Sequence, residues 1–279
     1  MIIIYVYLFI LHNKFYIVTP PFPALWESAI LPDMKVIISP AKNMTTKADA
    51  MEPRDEPVFI HRAQQLVDYL KALPYQDLKK LLACNDKLAQ LNYDRYQTLN
   101  LHSGTNPALV SYEGIQYQYM APRVFTDEYF DYTQQHLRIL SGLYGILRPF
   151  DGIVPYRLEM QAKLQTDFCK GLYDFWGDSL YQQLVQDSKV IVNLASEEYS
   201  KAIKKHLQPE VQFITCRFCE QTAGKLVEKG VYVKMARGEM VRFMAERKVS
   251  QPEQVKEFTG MGYGFRPDLS DSSLYTFVR

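Results

Sequence analysis

Apolar residues along this chain recur with two different periods, and each change of period marks a new element. Spacings of three and four in HRAQQLVDYLKAL (61–73) and DLKKLLA (77–83), with Pro74 between them, predict a pair of helices, and NDKLAQLNYDRYQTL (85–99) predicts a third. TDEYFDYTQQHLRIL (126–140) opens with a threonine in the capping position and an acidic first turn, so a helix covers much of it. KVIIS (35–39) predicts a short buried strand, followed by a polar, proline-bearing loop to about Pro57. VIVNL (190–194) and VQFITCRF (211–218) predict strands flanking the helix SEEYSKAIKKHL (196–207). GVYVKM (230–235) predicts a strand leading into the helix GEMVRFMAERKV (238–249), and LYTFV (274–278) a closing strand. Strands and helices interleave without a regular alternation, and the Tyr-rich SYEGIQYQYM (111–120) alternates as a half-buried strand does, which favours antiparallel pairing. The expected fold class is α+β: a mixed, largely antiparallel sheet surrounded by helices in a single compact domain.

Composition agrees with a globular chain. Of 279 residues 47% are hydrophobic, enough for a substantial core. The formal charge is only +1, so a polyanionic partner has to be met by a local concentration of cations and not by a diffuse field. Cys84, Cys169, Cys216 and Cys219 lie in a long chain without an export signal, which points to free thiols in a reducing compartment. Cys216 and Cys219 form a CxxC inside a strand-like run, where residues three apart face opposite ways, and no second CxxC or histidine pair completes a zinc set. They read as ordinary strand residues.

Candidate chemistry concentrates in LSGLYGILRPFDGIVPYRLEM (140–160), where three glycines, two prolines and two arginines surround a short apolar core. Glycines permit close approach, prolines fix bends, and each arginine presents a planar fork suited to phosphate or carboxylate. Together with ISPAK (38–42), DKLA (86–89), LYDFWGD (172–178), NLASEEY (193–199) and KMARGEMVRF (234–243), this segment resembles the YaaA family of bacterial peroxide stress proteins, the blocks falling in the family's order over residues 34 to 279. The resemblance implies a cytoplasmic protein that protects DNA, limits free intracellular iron during peroxide exposure and itself binds DNA; it implies no particular reaction and no cofactor.

Residues 1–33 stand apart from that match. MIIIYVYLFIL has no basic start, is too short to span a bilayer and is poorly formed for secretion. The expectation is a non-native or disordered extension translated from an upstream start codon, with the family-like domain beginning at Met34; a membrane-associating tail is the alternative. Without residues 1–33 the chain has 31 basic and 29 acidic residues, a charge of +2.

The leading expectation is a cationic cleft that holds double-stranded DNA with weak sequence preference and no stable membrane association. Lys42 follows a strand and a proline, Arg148 and Arg157 bracket a proline-pinned turn, and Lys234 and Arg237 close a strand before a helix start at Gly238, where free amides also favour anions; Arg242 extends that surface. Arg242 has a plainer alternative, an ion pair with Glu246 one turn later. Gly142 and Gly145 partly match the glycine turn of helix-hairpin-helix motifs, whose amides approach phosphate, against the alternative of a tight turn burying Leu143 and Tyr144. An enzyme acting on a nucleotide or phosphorylated small molecule is the rival expectation, with Ser39, Glu159, Ser196, Glu197 and Tyr199 in one pocket. No GxSxG elbow or Walker loop accompanies them. The five histidines are scattered, so no metal site is expected from spacing. Trp176 reads as core, and Tyr112, Tyr117 and Tyr119 as strand residues, not as base-stacking platforms.

Overall fold

Two wholly buried strands, apolar except at Lys35 and Asn193, set the centre of the sheet in the computed structural model, which describes residues 8–11, 14–17, 34–45, 47, 51–104 and 106–279. Met34–Ile38 and Val190–Leu194 are buried at every position, a pattern a strand sustains only when both of its faces are covered. They pair in parallel with Val36 opposite Val192 and Ile38 opposite Leu194. Leu137–Ser141 adds to one side in parallel, and Gln212–Thr222 followed by Leu274–Val278 adds to the other. Gly145–Leu147 and Gly264–Phe265 close the two edges antiparallel, and Lys225–Val227 folds back on the end of Gln212–Thr222.

Residues 32–279 form one unit, a mixed α+β sheet surrounded by helices, as the pattern predicted. Antiparallel ladders are the more numerous there, but they hold two or three residue pairs each, whereas the parallel ladders of three to five pairs make the centre. The apolar strands at 34–38 and 190–194 are covered on both faces, which is the setting of parallel strands. In the unit 1–31, the described residues Leu8–Leu11 and Lys14–Ile17 pair as an antiparallel hairpin; the remainder of the expected extension lies outside the described residues.

The helices Ile60–Ala72, Tyr75–Leu82 and Asp86–Thr98 form where the spacing predicts. Asn85 caps the third, its side-chain oxygen accepting from the Leu88 amide at 3.0 Å. Trp176 is fully buried and donates from its indole nitrogen to Gly142 O at 3.1 Å.

Three local expectations give way to tertiary packing. SYEGIQYQYM is mostly helical, as Ala108–Ser111 and Ile115–Met120, and only Tyr112–Glu113 pairs antiparallel, with Asn43–Met44. Tyr117 and Met120, three apart, bury on one helical side, in place of the alternation of two that the pattern predicts. GVYVKM is the first part of one continuous helix, Gly230–Arg247, so Gly238 lies mid-helix and offers no free amides to an anion. LSGLYGI is a β-hairpin in which Leu143 and Tyr144 are wholly buried, so Gly142 and Gly145 face packed protein and not phosphate.

Gly238 has a different use. A Cβ there would sit 2.1 Å from Gln116 O, so the missing side chain lets the long helix close onto the helix Ile115–Met120. Gly238→Ala is expected to cost about 2 kcal/mol, as overpacking of a tight helix crossing does. Gly230→Ala, where nothing lies within 4 Å, should be neutral or gain up to about 1 kcal/mol. Urea unfolding of both variants checks this; equal midpoints would show that the two helices do not depend on that close approach.

Candidate functional site

Parallel neighbours end at the same edge of a sheet, and ligand crevices form outside those carboxyl ends. Met34–Ile38 runs into Ser39, Pro40, Ala41 and Lys42, while Val190–Leu194 runs through Ala195 to Ser196 and the helix Glu197–Lys204. The two loops are tied together: Ser39 Oγ donates to Ser196 Oγ at 3.1 Å and accepts from the Ser196 amide at 2.8 Å. Ser196 holds the N-cap position without a side-chain cap, because its hydroxyl is turned to Ser39. Residues 156–159, residues 113–117 and the helix Gly230–Arg247 complete the walls of a cavity of about 370 Å³.

Tyrosines line its floor. Tyr117 OH donates to Ser39 O at 3.0 Å, and Tyr156 OH lies 2.8 Å from Tyr112 OH and 2.6 Å from Ser141 Oγ. Burial pushes Tyr156 up to about 12 and raises Tyr112, Tyr117 and Tyr199 as well, so these phenols stay protonated and able to donate.

Charge in the cavity is close to balanced. Lys42, Arg157, Lys234 and Arg237 share it with Glu113, Glu159 and Glu198. Glu159 Oε1 takes both Lys42 Nζ at 3.0 Å and Arg157 Nη2 at 2.8 Å. Glu198 Oε1 accepts from the Gln161 amide at 3.3 Å; burial raises its pKa, Glu159 adds to the rise, and the Gln161 amide and Lys42 oppose it. Arg237 differs from the other cations. Desolvation lowers its pKa, Glu228 lies near enough to favour its charge, and its buried Nε has no acceptor. Among the described residues the Arg237 side chain makes no hydrogen bond or ion pair. Arg157 Nε and Gln116 Nε2 are likewise buried without acceptors. A buried donor left unmade costs about 1–3 kcal/mol, more when charged.

The structure therefore brings together half of the expected cleft set and all but one of the expected pocket set. Lys42, Arg157, Lys234 and Arg237 of the cleft and Ser39, Glu159, Ser196 and Tyr199 of the pocket line one cavity. Arg148 is elsewhere: its Nε donates to Asp151 Oδ1 at 3.0 Å and its Nη2 lies 3.3 Å from Asp55, clasping two loops. Arg242 pairs with Glu246 at 2.7 Å, the plainer of its two alternatives. Glu197 points away and meets Lys204 at 2.6 Å, and its neighbour Glu198 faces the cavity instead. Glu113, Gln116, Tyr117 and Tyr156 were not anticipated; the helical phase of 115–120, had it been read, would have put Gln116 and Tyr117 on the buried side. Cys216 and Cys219 are buried strand residues, as expected, with Cys216 pushed up to about 12 by burial. Among the described residues no three His, Cys, Asp or Glu side chains gather as metal ligands, and no helix is long and apolar enough to cross a membrane.

Comparison with known proteins finds relatives over most of the chain. The family model described as peroxide stress protein YaaA matches residues 34–269. A UPF0246 protein of Desulfitobacterium hafniense is 57% identical over 246 residues, covering 88% of this chain and 98% of its own. UPF0246 proteins of Agathobacter rectalis and Pediococcus pentosaceus are each 49% identical over 246 residues, covering 88% of this chain and 99% and 98% of theirs.

Two outcomes follow from the buried charges. Arg237→Met should stabilise the unliganded protein by about 1 kcal/mol, because it removes a desolvated, unpaired cation; a lower melting temperature would mean that Arg237 has a structural partner. Burial raises Asp151 from 3.8 to about 6 against the pull of Arg148, with Asp55 adding to the rise. A carboxyl raised on folding contributes stability below its unfolded pKa that is lost as pH climbs through the folded one. The stability of the wild type relative to Asp151→Asn should therefore fall between about pH 4 and pH 6, a window read by urea midpoints at stepped pH; a flat difference would refute it.

Proposed function

The chain belongs to the peroxide stress protein YaaA family, and from that premise we propose that it acts in the cytoplasm, protecting DNA by seating a single nucleotide unit, free or carried by a strand, in this cavity. The observation that supports the reading is the convergence of four cations from three segments remote in sequence, Lys42, Arg157 and Lys234 with Arg237, on one cavity of about 370 Å³. Ligand pockets run from roughly 300 to 1,000 Å³. A nucleotide matches such a space; a continuous duplex groove is favoured less. Arg148 and Arg242 are engaged in ion pairs elsewhere, and the carboxylates Glu113, Glu159 and Glu198 leave a formal surplus of one positive charge in the cavity. The effect on free iron that the family resemblance implies is proposed to be indirect, since Glu159 is held by two cations and Glu198 by a backbone amide.

A second reading, an enzyme acting on a phosphorylated small molecule, is favoured by Glu198. This half-buried carboxyl of raised pKa lines the same cavity as the hydroxyls of Ser39, Ser196 and Tyr199, an inventory suited to moving protons.

Binding of a nucleoside monophosphate, a short single strand and a duplex, each across a salt series, tests the leading reading. The nucleotide and single strand should bind, and Lys42→Ala with Lys234→Ala should lower the salt slope by about 2, near 1 for each lysine that no longer meets a phosphate. Absence of binding to nucleotide and DNA alike would sink it, as would duplex affinity indifferent to both substitutions; turnover of a phosphorylated metabolite would move weight to the enzyme.

A further inference from the structure

We infer that the enclosed part of the cavity is a receptor for a phosphate monoester, a terminal phosphoryl group, and not for the internal diester of a continuing strand. The inference rests on the nucleotide reading above and names the group by which that ligand is held. Six buried side-chain atoms among the described residues lack a hydrogen-bond partner: Asn92 Oδ1, Gln116 Nε2, Arg157 Nε, Ser200 Oγ, Arg237 Nε and Gln251 Nε2. Half of them belong to residues lining this one cavity, and all three of these are N–H donors. Gln116, Arg157 and Arg237 come from separate segments, and the long helix that carries Arg237 comes close to the Gln116 backbone at Gly238. An acceptor with several oxygens and a negative charge is the chemistry that suits such donors.

The chemistry of the candidates separates them. A carboxylate or a phosphodiester offers two unsubstituted oxygens and one charge. A phosphate monoester offers three strong acceptor oxygens and about −1.5 to −2 charge near neutral pH. Arg237 carries its charge with no carboxylate in contact, whereas Lys42 and Arg157 already share Glu159. An internal diester would also have to lead chain away on both sides of buried donors, while a terminal group enters from one side only. Lys42 and Lys234 are exposed, so they stand at the rim, where the remainder of the ligand emerges.

Calorimetry with four probes tests the assignment: a nucleoside 5′-monophosphate, its 5′-methyl phosphodiester, and one oligonucleotide with a 5′-phosphate or with a 5′-hydroxyl. The monoester should bind at least 10-fold tighter than the methyl diester, and the phosphorylated oligonucleotide tighter than its hydroxyl counterpart if strand ends are the natural source. Gln116→Leu and Arg237→Met should each erase that preference and leave the weaker diester binding in place; thermal melts of both variants verify folding. Equal affinity for monoester and diester would overturn the receptor while leaving the nucleotide reading intact. Inorganic phosphate or glycerol phosphate bound as tightly as the nucleotide would support the receptor and overturn the nucleotide reading, and silence from every probe would remove both.

Discussion

The parallel pairing of Met34–Ile38 with Val190–Leu194 is the interaction from which the cavity follows. Both strands are apolar except at Lys35 and Asn193 and buried at every position, so hydrophobic burial holds them at the centre of the sheet. Their register puts Ile38 opposite Leu194, and the loops that leave them emerge together. A slip of one residue would turn each side chain to the other face and part Ser39 from Ser196. The mutual bonds of those serines lock the two exits at the same edge.

Around that edge the other walls are set by close approach. Gly238 allows the helix Gly230–Arg247 to lie on the backbone of Gln116. Gly142 is packed against Leu158 O, where a Cβ would come within 2.3 Å, so the hairpin presses on the segment that carries Arg157 and Glu159. Tyr96 OH, buried and protonated, donates to Arg157 O at 2.8 Å and fixes that backbone further. Rigid support of this kind lets buried donors remain apart from one another without collapsing onto internal acceptors.

The electrostatic design is economical. One carboxylate, Glu159, serves two cations, which leaves Arg237 unpaired. A balanced cavity attracts polyanions weakly at long range but binds a compact anion well once water is displaced, because the interaction then occurs at low dielectric. That distinction separates recognition of a single phosphorylated unit from wrapping of a duplex, and it rests on carboxylates that net charge alone conceals.

The buried strands, the three helices between residues 60 and 98, the helix after Ser196 and the closing strand were legible in the apolar pattern, since burial of a face imposes its period on the residues that make it. So were the residue types of the site and the kinship carried by its motifs. Tertiary structure alone decided which members meet: Arg148 is claimed by Asp55, far away in sequence, and one step of helical phase exchanges Glu197 for Glu198. It also turned the expected strand at 230–235 into helix, because a long packed helix outweighs the strand preference of a few β-branched residues. Period is a local property that the chain writes residue by residue. Partnership among charges is a property of distance in space, which no local pattern records.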